Sequence, residues 1–585
     1  MLKELLLFVL FASLLVTIVA SESYTDVTVQ EAKAMIDSDP SLVILDVRTQ
    51  GEYDSGHIRN ARLVPVGELQ GRLAELNKTA SILVYCRTGV RSSNASQILT
   101  DNGFLHVYNM IGGTTSWVST GYSVYVKYSS IQEAINNAIH GSSVLVSSGT
   151  YYEHLVVNKS ISLIGENENT AFVDGNFTGN VLNVTASNVT VSGFTFQKSG
   201  LSDSSCGVYV NGRVTDVNVS RNIVKDNYVG VLVFNSTGCI VAGNAVFSNY
   251  DDGIRLKLCT DIAVSGNIVS SNRFYGVNLH DSNRNAVLGN SVSNNTYGFC
   301  ANRNSDNNIV SKNSFLSSSY SAIGVYWYSD NNIVSGNTVN ANHIGIDVEW
   351  ASAGNSFLDN AVSNNAYGVW LSRSSANLFL HNSFAENTQK VYSFDSTNIF
   401  DDGFEGNYWS DYSGVDLNQN GIGDMPYILS VGNADDFPLM GTFQSFNSSA
   451  GYAVDVVSNS TIVDFQFFEP NRTIGMHVSN MTTTQAFGFC RMRVPHALMN
   501  QTYHIAVDGA DPFFVNYTVF DDGNSRWMYF SYRHSTLKIV ITPEFPSLII
   551  LTLFMIIVLL ACLVHKRRPM QLRARPVFRV SALCS

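Results

Sequence analysis

"GNAVFSNYDDGIRL" (residues 243–256) is followed by "GNIVSSNRFYGVNL" (266–279), and the same phrase returns as "GNTVNANHIGIDV" (336–348) and "DNAVSNNAYGVWL" (359–371). An Asn opens each copy, at 222, 244, 267, 290, 313, 337, 360 and 382, with intervals of 22 to 24 residues. A period in the low twenties, rich in Asn and Gly and holding two short alternating strands, is one coil of a solenoid. A single coil cannot bury its own apolar face, so the copies must stack into one continuous core. The expectation for residues 125–440 is a parallel β-helix, its first coil capped by a helical lead-in at Ile131–Ile139. The repeating Asn should form an internal ladder from coil to coil.

Alternation within each strand divides core from surface. Aligned on the preceding Gly, one inward column reads Val208, Val231, Ile254, Val277, Phe299, Val325, Ile346 and Val369. The other ends Ala301, Trp327, Val348, Leu371. The outward columns place Tyr209, Arg255, Asn278, Tyr326, Asp347 and Trp370 in one row and His280, Tyr328 and Glu349 in the next. Rings beside hydrogen-bonding groups suit sugars, so this face reads as carbohydrate-binding or as a plain solvated sheet. Asp347 and Glu349 point the same way, and Asp251 and Asp252 lie near Arg255. Paired carboxylates of this kind serve glycoside cleavage, whereas Asn, Asp and Ser also fill turns for backbone reasons.

Composition bounds the rest. The 585 residues exceed one ordinary domain, and the formal charge is −12. Six basic residues (Lys566, Arg567, Arg568, Arg573, Arg575, Arg579) fall in the last 21 positions, leaving residues 1–564 with 29 Lys and Arg against 47 Asp and Glu, a net −18. So acidic a body argues against nucleic acid as a partner. Lys3 and the apolar run Leu5–Ala20 follow the order of an export signal over residues 1–20, or of an uncleaved anchor. A second apolar run ends at Val564 before His565-Lys566-Arg567-Arg568. It reads as a transmembrane helix over 547–564 with a basic inner tail, 565–585, and the body outside. Fifteen N-x-[ST] sequons fit an exposed, glycosylated body. The eight Cys show no pairing by spacing.

Between residues 24 and 124 the pattern becomes α/β. Short β-rich runs, 42–46 and 82–85, alternate with amphipathic stretches 67–76 and 92–102. The second run leads straight into "CRTGVRS", and a helix follows. Cys86 is thus expected at a strand end facing a helix N-terminus. There the amides of Arg87, Thr88, Gly89 and Val90 form an anion cradle, and Arg87 and Arg91 favour the thiolate.

"ILDVRTQGEYDSGHI" (44–58), "VYCRTGVRS" (84–92) and "IGGTTSWVSTGYSV" (111–124) resemble the opening motif, active loop and closing motif of a single-domain rhodanese. The resemblance implies that Cys86 is the catalytic nucleophile. It would accept sulfane sulfur from a small donor such as thiosulfate or a polysulfide and pass it to a thiol, with no cofactor. It also makes Arg87, Thr88, Gly89, Val90 and Arg91 the substrate cradle, and Asp46 and Arg48 the brace of the fold. The loop is Cys-x4-Arg; related phosphatases have one residue more. "GHIRNA" (56–61) departs from the usual "GHIPGA".

The repeats, the entry "GTYYEHLVVNKSISLIGEN" (149–167) and the exit "GNYWSDYSGVDLNQNGIGDMPYIL" (406–429) resemble the NosD-like family of surface right-handed β-helix proteins. Some relatives are labelled copper-binding, but His140, His154, His280, His343 and His381 show no ligand spacing here. In the exit, Asp416, Asn418, Asn420 and Asp424 match the front of a calcium loop without its twelfth-position Glu, or an ordinary Asn/Gly turn. Alternating strands over 441–542 point to a small membrane-proximal β-sandwich. "TPEFPS" (542–547) resembles the PEF-type sorting signal of archaeal surface proteins. The expected whole is a multidomain, surface-anchored sulfurtransferase carried on a β-helix. The alternatives are a glycan-binding or structural β-helix with a silent rhodanese module, and a β-helix polysaccharide lyase or hydrolase.

Overall fold

The computed structural model describes residues 24–481, 485–499, 503–533, 535–543 and 555–561. The export signal (1–20) and basic tail (565–585) lie outside the described residues, as does the span 547–564 apart from 555–561. Among the described residues no helix is long and apolar enough to cross a membrane. The described residues form two compact units, one of those up to 402 with 428–435, the other of 403–427 with those from 436 onward.

The first unit opens with five parallel strands in the order β1-β5-β4-β2-β3. They are β1 (Thr25–Val27), β2 (Val43–Asp46), β3 (Arg62–Leu63), β4 (Ser81–Tyr85) and β5 (His106–Met110). The helices are α1 (Val29–Ser38), α2 (Gln50–Asp54), α3 (Val66–Arg72), α4 (Val90–Asp101) and α5 (Gly113–Ser119). Parallel strands need such crossovers, and helices on both faces account for the near-continuous apolar run of β4. Its residues Ile82, Leu83, Val84 and Tyr85 are all fully buried. Two apolar clusters result, one around Leu45, Val84 and Leu99, the other around Ile44, Leu83 and Trp117.

Next comes α6 (Ile131–Asn137), which lays Ile131 and Ile135 fully buried against the start of the solenoid. Glu153 caps it, accepting from the amides of Ile131 and Gln132 at 2.7 and 3.0 Å. The expected cap helix is therefore present. Three parallel sheets follow, each contributing one strand per coil, from Ser143 to Phe394.

The Asn ladder is also present. Asn267, for example, donates from Nδ2 to Asn290 Oδ1 at 2.9 Å, and Asn290 passes the bond to Asn313 at 2.9 Å. Two further Asn ladders run through other corners, one from Asn227 through Asn249, Asn272 and Asn295, the other from Asn285 through Asn308, Asn332 and Asn355. Each meets buried backbone groups that a strand turning a corner leaves without ladder partners.

The alignment of the coil around 321–326 shifts by two residues from the expected one. Ile323 pairs with Phe299 and Ile346, and Val325 with Ala301 and Val348, so Gly324 takes the outward place beside Asp347 and Tyr326 the place beside Glu349. Ala322 occupies the slot that Gly fills elsewhere, and Gly324 mimics it in the sequence. Trp327, expected in the core, is 46% exposed and stacks on Trp350 at 4.9 Å.

In the second unit, residues 442–543 form a five-stranded and a four-stranded antiparallel sheet that share one apolar core including Val456, Met476, Met492 and Ile541. Residues 403–427 cluster here as well. Glu405 Oε1 accepts from Arg491 Nε and Nη2 (2.8 and 2.6 Å) and from Trp527 Nε1 (3.1 Å).

Candidate active site

β4 ends at Tyr85 and α4 begins at Val90, so residues 86–89 make a tight loop between a strand end and a helix N-terminus. Gly89 is the N-cap at φ 100°, a left-handed conformation that costs Gly little. Its amide donates to Cys86 Sγ at 3.2 Å. Burial pushes the thiol up, but the hydroxyl and amide of Ser92 and the amides of Thr88 and Gly89 more than offset it, and the net shift is downward.

The other five described cysteines go the opposite way. Burial pushes Cys206 up to about 12 and Cys259 and Cys490 up to about 11, and raises Cys239 and Cys300. Cys86 is only 1% exposed, so a reagent must be small enough to enter the loop. Brief treatment with iodoacetamide at neutral pH should mark Cys86 before the other five, as read by peptide mass mapping. Preferential label at another described cysteine would contradict this ordering.

The loop arginines have separate tasks. Arg91 was expected to favour the thiolate; its charge does act with that of Cys86, but its main contact is elsewhere, both terminal nitrogens donating to Glu52 at 2.8 and 2.6 Å. That contact is the chief reason the Glu52 carboxyl is pushed down to about 2, burial acting against it. Arg91 therefore ties α4 to α2. Arg87 is exposed and lines a cavity of about 460 Å³ with Arg48, Glu52, Gly56, Thr114 and Val124. Cys86 is not among the lining residues; the cavity opens beside its loop. Asp46 and Arg48 form the expected brace. Asp46 accepts from Arg48 Nη2 at 2.6 Å, and the same Nη2 donates to Gly56 O at 2.8 Å.

The closing motif supports the loop from behind. Thr114 N donates to Cys86 O at 2.9 Å and Thr115 N to Arg87 O at 3.0 Å. Gly113 sits at φ 56°, and a Cβ there would run into Cys86 O and the Arg87 carbonyl. Gly113→Ala should therefore cost about 3 kcal/mol and lower activity beyond the stability loss, because the loop itself must move. Thermal unfolding and specific activity of the folded fraction check this.

Elsewhere the predicted residues do not make a second catalytic centre. Asp347 is 0% exposed beneath Tyr326, whose hydroxyl donates to it at 2.6 Å, and burial raises its carboxyl well above the usual range. No substrate could touch it, so the acid–base pair with the half-buried Glu349 fails. Asp251 and Asp252 are both paired with Arg255 at 2.5 Å. On the proposed glycan face Asn278 and Tyr326 are buried, while Tyr209, Arg255, His280 and Trp370 are half-buried and Tyr328 is exposed. Trp370 stacks on Tyr392 at 3.9 Å, so ring faces that sugars would need cover each other.

In the exit loop both oxygens of Asp416 accept amides, from Asn420 and Gly421, and those of Asp424 accept from Leu417 and Asn418. Asn420 Oδ1 accepts from Ile422 N. Those contacts make an Asn/Gly turn closed by its own N–H groups. Among the described residues no group of three or more His, Cys, Asp and Glu is placed to hold a metal.

Residues 28–120 match the Rhodanese-like domain. Over 76 residues the chain is 40% identical to thiosulfate sulfurtransferase GlpE of Coxiella burnetii, covering 13% of this chain and 71% of that protein. The chain belongs to the rhodanese family. A second relative is the putative sulfur carrier protein YrkF of Bacillus subtilis, 36% identical over 97 residues, 17% of this chain and 52% of YrkF; the chain thus spans about half of that relative. A rhodanese-related protein from Thermoplasma volcanium is a similar solved structure, at 29% identity, 18% of this chain, 100% of that one and a TM-score of 0.17. Three overlapping stretches, 161–315, 249–388 and 302–467, match the right handed beta helix region. They extend over more than half of the chain, so it belongs to that family as well. Rhodanese homologues that are sulfurtransferases support activity of that type, from a domain that covers a small part of the chain.

Glu52 and Ser92 were missed by the sequence reading. Thr49–Glu52 carries a capping-box signature, which gives the helix start but not the partner 39 residues on.

Proposed function

We propose that Cys86 is the sulfur-carrying nucleophile of a sulfurtransferase whose donor is a small sulfane anion, thiosulfate or a polysulfide. The observation that carries this reading is the lowered Cys86 thiol within a ring of main-chain amides. The Cys86 thiolate attacks the outer sulfur of thiosulfate, the S–S bond breaks, and sulfite leaves with its electron pair. A persulfide remains on Cys86, its charge held by the loop amides. An acceptor thiolate then attacks the outer sulfur and returns Cys86 as thiolate, so the cycle needs no oxidant or cofactor. Arg87, exposed at the cavity, supplies positive charge to the incoming anion.

Export through residues 1–20, with anchoring either by a retained 547–564 helix or by processing at 542–547, belongs to the same proposal and rests on the sequence. Mass spectrometry of the purified protein after exposure to thiosulfate and to polysulfide should find one added sulfur atom on the Cys86 peptide. If neither donor charges it, the domain is a silent docking module.

A further inference from the structure

The "GHIRNA" departure lies where the rhodanese domain meets the first coil of the β-helix. Asn60, at φ 59°, donates its amide to Glu166 Oε1 at 2.9 Å, and Arg59 Nε donates to Glu166 O at 3.0 Å. His57, 0% exposed, places Nε2 on the same Oε1 at 3.1 Å. Its Nδ1 faces Tyr53 O at 2.9 Å, and its ring stacks on Tyr53 at 3.6 Å. The other oxygen of Glu166 accepts from the amide and hydroxyl of Ser148, both at 2.9 Å. Glu166 is 2% exposed, so one buried carboxylate of the solenoid is satisfied from both domains at once. Removing either side would leave the remainder uncompensated.

This junction continues into the sulfur site. The backbone of His57 pairs with Tyr125 in both directions (3.0 and 2.9 Å), and Lys127 N donates to Asp54 O at 2.9 Å. One residue on, Val126 N donates to Leu145 O at 3.1 Å, and its carbonyl accepts from Ser147 N at 2.9 Å. Segment 54–57 is thus held by segment 125–127, which is held in turn by the first coil. Gly56, within the first segment, and Val124, the residue before the second, both line the cavity beside the active loop. They touch so closely that a Cβ on Gly56 would lie 2.9 Å from Val124.

We propose that the β-helix forms part of the sulfur-transfer site, with Glu166 as the positioning residue that sets the wall of the cavity through which sulfur donor and thiol acceptor approach. The proposal rests on the sulfurtransferase reading above. It explains why Arg59 replaces the family's usual residue: its side chain reaches the solenoid from a turn that stays closed, Ala61 N donating to Ile58 O at 3.0 Å.

The test uses the full chain and compares wild type with Glu166→Ala. Wild-type failure to form a persulfide would remove the underlying reading and is seen separately. Given an active wild type, Glu166→Ala should raise KM for thiosulfate on the order of tenfold, with kcat and the persulfide stoichiometry on Cys86 nearly unchanged. Glu166→Gln, which keeps one oxygen acceptor, should recover part of the loss. An unchanged KM in a folded Glu166→Ala protein would overturn the proposal, as would a fall in persulfide stoichiometry with KM intact. If Glu166→Ala does not fold, His57→Gln is read by the same KM-against-kcat comparison.

Discussion

Cys86→Ser takes sulfur transfer down by roughly 10³-fold or more and leaves the fold in place. Serine fits the same site, and its hydroxyl can accept the Gly89 amide that now meets sulfur. What it cannot supply is an anionic, polarisable nucleophile at neutral pH, the form that the amides of Thr88 and Gly89 and the hydroxyl and amide of Ser92 favour on Cys86. Steady-state rates with thiosulfate and a thiol acceptor, measured beside thermal unfolding, make the comparison. Residual activity near wild type would place the nucleophile elsewhere, and the rhodanese loop would then be a docking element. Because the thiol's pKa lies below its ordinary value, the wild-type rate should rise with pH and level off earlier than for a free cysteine. The variant should lack that limb.

Asn290→Ala should destabilise the solenoid by about 4 kcal/mol. Asn290 Oδ1 accepts both the amide and Nδ2 of Asn267, each at 2.9 Å. Its own Nδ2 donates to Val264 O at 2.9 Å and to Asn313 Oδ1 at 2.9 Å. With a further bond from Nδ2 to Leu288 O at 3.3 Å, alanine removes five and strands buried groups on both neighbouring coils where water has no access. Ser291→Ala, one residue away but exposed, should stay within about 0.5 kcal/mol of wild type. Hydrogen exchange should show the loss concentrated around coils 267–313, since each coil meets only its neighbours. A cost below 1 kcal/mol for Asn290→Ala would mean that the ladder follows the fold instead of holding it.

The solenoid was legible because its architecture leaves a trace at every turn. One amide per coil satisfies a corner on two sides, so Asn must return each time the chain does. Register was harder to read. A coil is recognised by the small residue that enters its outward strand, and at 322 that residue is Ala, while the Gly two places later attracts the alignment. Three aromatic residues, Tyr326, Trp327 and Tyr328, were displaced as a result, with Trp327 assigned to a core it does not enter. The active loop was legible for a different reason: nucleophile, cradle and closing arginine lie within six consecutive positions. Glu52 and Glu166 were not, because each acts on a partner 39 or more residues away, and nothing in "TQGEYD" or "LIGENENT" announces it. The paired carboxylates were legible as composition, but burial of Asp347 under Tyr326 was not.

The short helix laid across the opening of the first coil has a consequence of its own. A stack of parallel strands whose terminal layer is uncovered presents unpaired amides and carbonyls to any second stack, and nothing in its geometry limits how far the pile grows. With Ile131 and Ile135 plugging that mouth, the column has a beginning, and the protein is kept from serving as the seed of a fibre of itself.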